Sequence, residues 1–268
     1  MSRNLVEKIL RSFGTLLILL ALWQFAHWAS GGHRYLLPSP GQTFIVLFER
    51  PELLMRHAWV TFLEIILGLM LGTVLGAGAA LAVDYSRALK RWLLPLLVVS
   101  QAIPVFAIAP VLVLWLGYGL ASKVAMATLI IFFPVTAALL DGLRRTDPIW
   151  LDLARSMGAS PRAILFQIRL PAALPALASG IRVAAAVAPI GAVVGEWVGS
   201  ARGLGHLMLQ ANARMQVDVM FAALFVLAVF SVALYLSLDT LLRRLMPWQA
   251  DSASPVGSSS GPSPQTNQ

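Results

Sequence analysis

The chain has 268 residues, of which 58% are hydrophobic and only 12% charged, and its mean hydropathy is +0.78. Soluble domains carry about a quarter charged residues, so this composition excludes an ordinary water-soluble surface and makes lipid the expected solvent. Cysteine is absent, which removes disulfides, thiolate metal sites and cysteine nucleophiles, and the net charge of +8 is not gathered into basic runs interleaved with aromatic residues, so nucleic acid is not an expected partner.

Apolar stretches able to cross about 30 Å of hydrocarbon at about 1.5 Å per residue occur six times. They lie near residues 14–30, 60–83, 93–116, 122–140, 174–196 and 219–242. The pattern predicts an all-α integral membrane protein with six transmembrane helices: a cytoplasmic amino terminus over 1–13, a transmembrane domain over 14–245 and a disordered cytoplasmic tail over 246–268. In the first stretch Arg3, Lys8 and Arg11 precede an apolar core, as in a secretory signal, but Trp23, Phe25 and Trp28 fill the place where small residues would prepare cleavage. It reads as an uncleaved anchor. Leu37-Pro38-Ser39-Pro40 then stops the helix, and Gln42 to Met55, with Phe44, Ile45, Leu47, Phe48 and Leu54 among charges, predicts an interfacial helix on the outer surface.

Helices in lipid associate without a hydrophobic drive, so close packing is expected where small residues recur four apart. Gly68, Gly72 and Gly76 share one face of the second span, and Gly191, Gly195 and Gly199 one face of the fifth. The third span carries Pro95, Pro104 and Pro110, each of which deletes a backbone donor and bends the helix. After Trp248 the chain turns to Ser, Pro and Gly with nothing to bury, which predicts the disordered tail.

Lysine and arginine set the expected orientation. Arg3, Lys8, Arg11, Arg87, Lys90, Arg91, Arg144, Arg145, Arg155, Arg162, Arg169, Arg243 and Arg244 fall on one side, thirteen in all; Arg34, Arg50, Arg56, Lys123, Arg202 and Arg214 fall on the other. The excess places both termini in the cytoplasm.

The loop over residues 141–173 is therefore cytoplasmic, and it is patterned. Asp147-Pro148 opens a helix with a cap and a proline at its first position, Ile149, Leu151, Leu153, Ala154 and Met157 supply apolar surface, and Gly158 ends it. Ser160-Pro161 opens a second, carried by Ile164, Leu165 and Ile168 to Leu170-Pro171. Two short amphipathic helices are predicted, laid on the bilayer or offered to a partner's groove.

At these residues the chain resembles the integral membrane subunits of ATP-binding-cassette importers, whose loop follows E-A-A-x3-G-x9-I-x-L-P. Asp152, Leu153, Ala154, Gly158, Ile168, Leu170 and Pro171 match in register, with Asp152 keeping the carboxylate of the usual Glu and Leu153 adding bulk where Ala is usual. The resemblance covers residues 35 to 245. Leu37-Pro38-Ser39-Pro40, Ala102-Ile103-Pro104, Ala109-Pro110 and Pro171-Ala172-Ala173-Leu174-Pro175 look like the branch that imports nitrate, sulfonates and taurine. Gly195-Glu196-Trp197-Val198-Gly199, Gly203-Leu204-Gly205 and Asn212-Ala213-Arg214-Met215-Gln216 look closest to permeases for hydroxymethylpyrimidine or other thiamine precursors, and a riboflavin group is similar there.

The resemblance implies a multi-pass permease of the bacterial inner membrane, surrounded by lipid, whose coupling loop seats in two copies of a cytoplasmic ATPase. It also implies a second copy of the chain and a periplasmic or lipid-anchored substrate-binding protein. The chain has no Gly-rich loop ending in Gly-Lys-Ser/Thr, so hydrolysis belongs to the ATPase, and no cofactor is expected. An intramembrane enzyme would need a nucleophile and base or a metal cluster. The spans hold no H-E-x-x-H or G-x-S-x-G, and His27, His33, His57 and His206 lack ligand spacing, so neither catalytic residues nor a metal is expected.

Two charges remain as candidate pathway or mouth residues. Arg182 lies about 12 Å inside the fifth span, where it snorkels, pairs with a carboxylate or lines an aqueous path. Glu196 lies about 21 Å further along the helix, at the expected outer mouth, either anchored beside Trp197 or meeting a binding protein or polar substrate. Asp239 and Arg243, four apart, are expected to pair locally.

Overall fold

The structure, a computed structural model, describes residues 3–33 and 35–248, so the tail expected to be disordered lies outside the described residues from 249 onward. Every regular element among the described residues is helical: α1 (Arg3–Ala29), α2 (Pro40–Glu49), α3 (Pro51–Tyr85), α4 (Arg87–Ala102), α5 (Val105–Leu116), α6 (Leu120–Arg144), α7 (Pro148–Ser156), α8 (Pro161–Ile164), α9 (Leu170–Gly199), α10 (Leu204–Ala213) and α11 (Val217–Leu245). A π-helical turn, Leu165–Arg169, joins α8 to α9. Among the described residues, four helices are long and apolar enough to cross a membrane: Pro51–Tyr85, Leu120–Arg144, Pro161–Gly199 and Val217–Leu245.

The core is built around α6, which lies between α3 and α9. The two glycine triplets make this possible. A Cβ on Gly68 would stand 2.4 Å from Ala127 Cβ, and one on Gly191 2.7 Å from Ala127 Cα, so Ala127 is gripped from both sides. Gly72 meets Ile131 and Gly76 the Phe132 carbonyl in the same way, while Gly195 lies on Lys123. Backbones this close gain dispersion contact that lipid tails cannot match. Thr136 Oγ1 adds an interhelical bond, donating to Gly76 O at 3.1 Å as well as to Phe132 O in its own helix at 2.7 Å.

Three expectations change in detail. The predicted interfacial helix is two pieces: Ser39 and Gln42 form a reciprocal capping box at the start of α2, which ends at Glu49, and Pro51 then opens α3. The 35 residues of α3 extend over about 52 Å, well beyond the thickness of the hydrocarbon. The third apolar stretch is broken at Ile103-Pro104, both extended, because a proline disfavours the helical region for the residue before it. The second loop helix is a single turn that runs through the π turn into α9, and does not stop at Leu170-Pro171. Leu170 N–H bonds to Leu165 O, five residues back, and Pro171, which has no N–H, follows directly, so the change of register sacrifices no donor.

The segment before α2 is tied to α1: Trp23 Nε1 donates to Pro38 O at 3.0 Å and His27 Nδ1 lies 2.6 Å from Leu37 O. Trp23 also stacks on Phe221 of α11, with centroids 5.7 Å apart.

Candidate functional site

The loop over residues 141–173 is fixed at both ends of α7. Asp147 Oδ1 accepts from Ile149 N at 2.9 Å, and Pro148 occupies the first helical position. At the other end Gly158, at φ +77°, takes the left-handed conformation, with Gly158 N donating to Arg155 O and Ala159 N to Ala154 O, each at 3.0 Å. This is a Schellman closure, which glycine adopts without strain. Ala154 turns inward and is buried, whereas Ile149 (74% exposed), Trp150, Leu153 and Met157 (79% exposed) stand outward. Asp152 and Arg155 form an exposed pair at 2.9 Å, a contact that water screens heavily. Leu170 packs on the inner core cluster with Leu139, Leu143 and Ala173. The structure thus divides the matched residues: Asp152 and Leu153 lie exposed on α7, Ala154 is its buried residue and Gly158 closes it, while Ile168 is half-buried in the π turn, Leu170 packs on the core and Pro171 sits in the first turn of α9.

Arg182 is paired: its Nε donates to Asp239 Oδ1 at 2.6 Å, and Asp239 Oδ2 accepts from Arg243 Nε at 2.9 Å. The local Asp239–Arg243 pair is present, and its carboxylate also joins α9 to α11.

Glu196 is enclosed by its own chain. It is 1% exposed, and its two oxygens hold a neighbouring segment in place. Oε1 accepts from Thr61 Oγ1 of α3 at 2.6 Å; Oε2 accepts from Gly205 N at 2.5 Å and His206 N at 3.2 Å, the first turn of α10. A carboxylate there satisfies orphan helix donors and suits the positive end of the helix dipole. Leu204 N donates to Thr61 Oγ1 at 2.8 Å, and His57 Nδ1 lies within 3.0 Å of both Gly203 N and Gly203 O, bonding one or the other according to tautomer. Gly203, at φ +115°, has no room for a side chain: a Cβ would lie 2.2 Å from Glu196 Cδ. The His57 and His206 rings stack at 6.3 Å, and burial holds His206 below the ordinary imidazole range.

Sequence reasoning missed three residues of these sites. Lys123, counted only among the charges of the side opposite the termini, is 1% exposed and donates from Nζ to Tyr118 O at 2.6 Å, Gly119 O at 3.0 Å and Gly199 O, using all three protons on carbonyls of the α5–α6 turn and the end of α9. Glu64 is equally buried against Glu196, with Oε2 lacking a hydrogen-bond partner, and Lys123 supplies a nearby positive charge to both carboxyls. Arg169, counted only as a loop charge, is bonded to Asp84. A charge inside an apolar run was the available signal for Glu64.

Comparison with known proteins agrees with this architecture. Residues 68–250 match the family model described as binding-protein-dependent transport system inner membrane component. A probable ABC transporter permease protein of Haemophilus influenzae is 58% identical over 229 residues, covering 85% of this chain and 94% of that protein. The formylaminopyrimidine transport permease protein ThiX of Halalkalibacterium halodurans is 36% identical, covering 87% and 93%. The riboflavin transport system permease protein RibX of Chloroflexus aurantiacus is also 36% identical, covering 88% and 89%. Among solved structures, an inward-facing MetNI methionine ABC transporter chain shares the fold, with a TM-score of 0.65 and 21% identity over 73% of this chain and 98% of that one. With its long apolar helices packed around α6, the chain is a multi-pass inner-membrane permease, not an enzyme, and belongs to the family of inner membrane components of binding-protein-dependent ABC transport systems.

Proposed function

We propose that two copies of this chain form the pathway of an ATP-driven importer for a small polar organic nutrient, with α7 of each copy seated in a cleft of a cytoplasmic ATPase. Each copy crosses six times, through α1, α3, α4 with α5, α6, α9 and α11. Both termini then face the cytoplasm, in keeping with the arginine and lysine excess, and α7 falls on the same side. The observation that carries this reading is the uncovered apolar face of α7: Ile149, Trp150, Leu153 and Met157 on a nine-residue helix whose two ends are fixed. A short rigid helix with apolar residues at i, i+1, i+4 and i+8 suits insertion into a groove. Asp152, Leu153, Ala154 and Gly158 make the docking helix, and Ile168, Leu170 and Pro171 pass its displacement to α9. The outer face meets a periplasmic or lipid-anchored binding protein.

The cargo we assign is hydroxymethylpyrimidine or a related thiamine precursor, supported by the similarity to ThiX along most of both chains. Riboflavin is the second reading, favoured by the equal identity to RibX. Aliphatic sulfonate, taurine and nitrate have weaker support: TauC of Escherichia coli is 29% identical, and Arg182, the one arginine deep in the spans, already holds Asp239. In this reading Arg182 straps α9 to α11, and Glu196 positions α10 without touching cargo. Uptake of labelled hydroxymethylpyrimidine, riboflavin and taurine by cells with and without the chain tests the assignment. Loss of pyrimidine uptake alone supports it, and loss of riboflavin or taurine uptake alone replaces it.

A further inference from the structure

Arg169 sits on the last residue of the π turn, between the exposed loop helix and the long helix α9. Its guanidinium uses four hydrogen bonds. Nη1 donates to Asp84 Oδ2 at 2.6 Å and Nη2 to Asp84 Oδ1 at 2.8 Å, a two-pronged pair; Nη2 and Nε also donate to Leu143 O at 2.8 and 3.3 Å. Asp84 is the penultimate residue of α3 and Leu143 the penultimate residue of α6. One largely buried side chain therefore joins the inner ends of α3 and α6 to the start of α9. The same three helices are in backbone-close contact along the glycine triplets. By contrast, α7 itself has only Ala154 buried, and beside the Arg169 fork the loop meets the end of α3 through Leu165, which shares a buried apolar cluster with Ala80 and Val83.

We propose that Arg169 is the positioning residue that makes α3, α6 and α9 move as one body when the loop is displaced, so that motion entering at α7 reaches α3 through the Arg169–Asp84 fork. The proposal rests on the reading that α7 docks an ATPase. Planar two-pronged geometry matters here: a lysine retains the charge but cannot hold Asp84 and the Leu143 carbonyl with the same fixed fork.

The absence of cysteine allows one label per chain. Tyr85, exposed at the end of α3, is replaced by Tyr85→Cys and given a nitroxide, so that two copies report the separation of their α3 inner ends. The full complex with ATPase and binding protein is measured without nucleotide and after trapping with ATP and vanadate. With Arg169 intact the separation changes on trapping. In Arg169→Gln the change falls about fivefold or more, the low end of ordinary coupling between sites, while the ATPase stays bound and hydrolyses ATP. Arg169→Lys falls between, and the exchange Asp84→Arg with Arg169→Asp recovers part of the change.

An Arg169→Gln complex that undergoes the full change overturns the proposal, as does a separation that trapping leaves unmoved in the chain with Arg169. If Arg169→Gln fails to assemble, Arg169→Lys decides by the same readout: a full change overturns the proposal and a reduced one supports it. A chain with Arg169 that recruits no ATPase overturns the docking reading, and the proposal with it.

Discussion

At the residue scale, the structure commits two buried charges, Lys123 and Glu196, to holding backbone. Lys123 places three protons on three carbonyls, and Glu196 accepts from two amides and a hydroxyl, so removing either strands several buried groups at once. Lys123→Met is expected to destabilise the fold by about 3 kcal/mol or more, read as a lower unfolding midpoint in detergent, because it strands three carbonyl oxygens at once. Gly203→Ala is expected to behave like loss of Glu196, since the new Cβ would occupy the position of the Glu196 carboxyl carbon. His206 adds a pH dependence with a definite sign. Its pKa is lower folded than unfolded, so the unfolded chain binds more protons as pH falls; stability is full above about pH 6.5 and declines below it. Midpoints at pH 7.5 and 5.5 should differ less in His206→Gln. Little of this cluster was legible in the sequence. Thr61, Glu64, Lys123, Glu196 and Gly203 lie on three helices and a loop, and no local period connects residues so far apart in the chain.

At the element scale, legibility followed the helical period. The glycine triplets could be read because four-residue spacing puts small residues on one face whatever the partner, although nothing identified α6 as the partner of both. Gly191→Val is expected to force α9 from α6 at Ala127 and cost about 1–3 kcal/mol or more, whereas Gly78→Val, with open space around it, should be close to neutral. Comparison of the two midpoints checks the packing. The caps of α7 were equally readable, because Asp-Pro and a terminal Gly act locally. The break at Ile103-Pro104 was not, since Pro95, Pro110, Pro134 and Pro189 all remain inside helices. Continuity of α8 with α9 was hidden for the converse reason: Pro171 looked like a stop, but it sits where a helix tolerates a missing N–H. Gly158→Ala should weaken the end of α7 by about 1–2 kcal/mol through the left-handed backbone alone, for no atom crowds its Cβ.

At the scale of the whole molecule, the described residues join a tightly packed core of α3, α6 and α9 to a loop helix, α7, that buries little of itself. The core is anchored at one end by Glu196 and Lys123 and at the other by Arg169. An apolar, end-capped helix left uncovered on such a body is what an external motor would grip. The most direct test is the amount of ATPase retained by the tagged chain after solubilisation and purification, compared between the unaltered protein and Leu153→Glu, which sets a charge in the middle of the exposed apolar face. The account predicts one ATPase per chain for the unaltered protein and at least about a tenfold loss for Leu153→Glu, with the unfolding midpoint of the chain unchanged. Equal retention by the two would show that the ATPase is held somewhere other than α7 and would contradict the account.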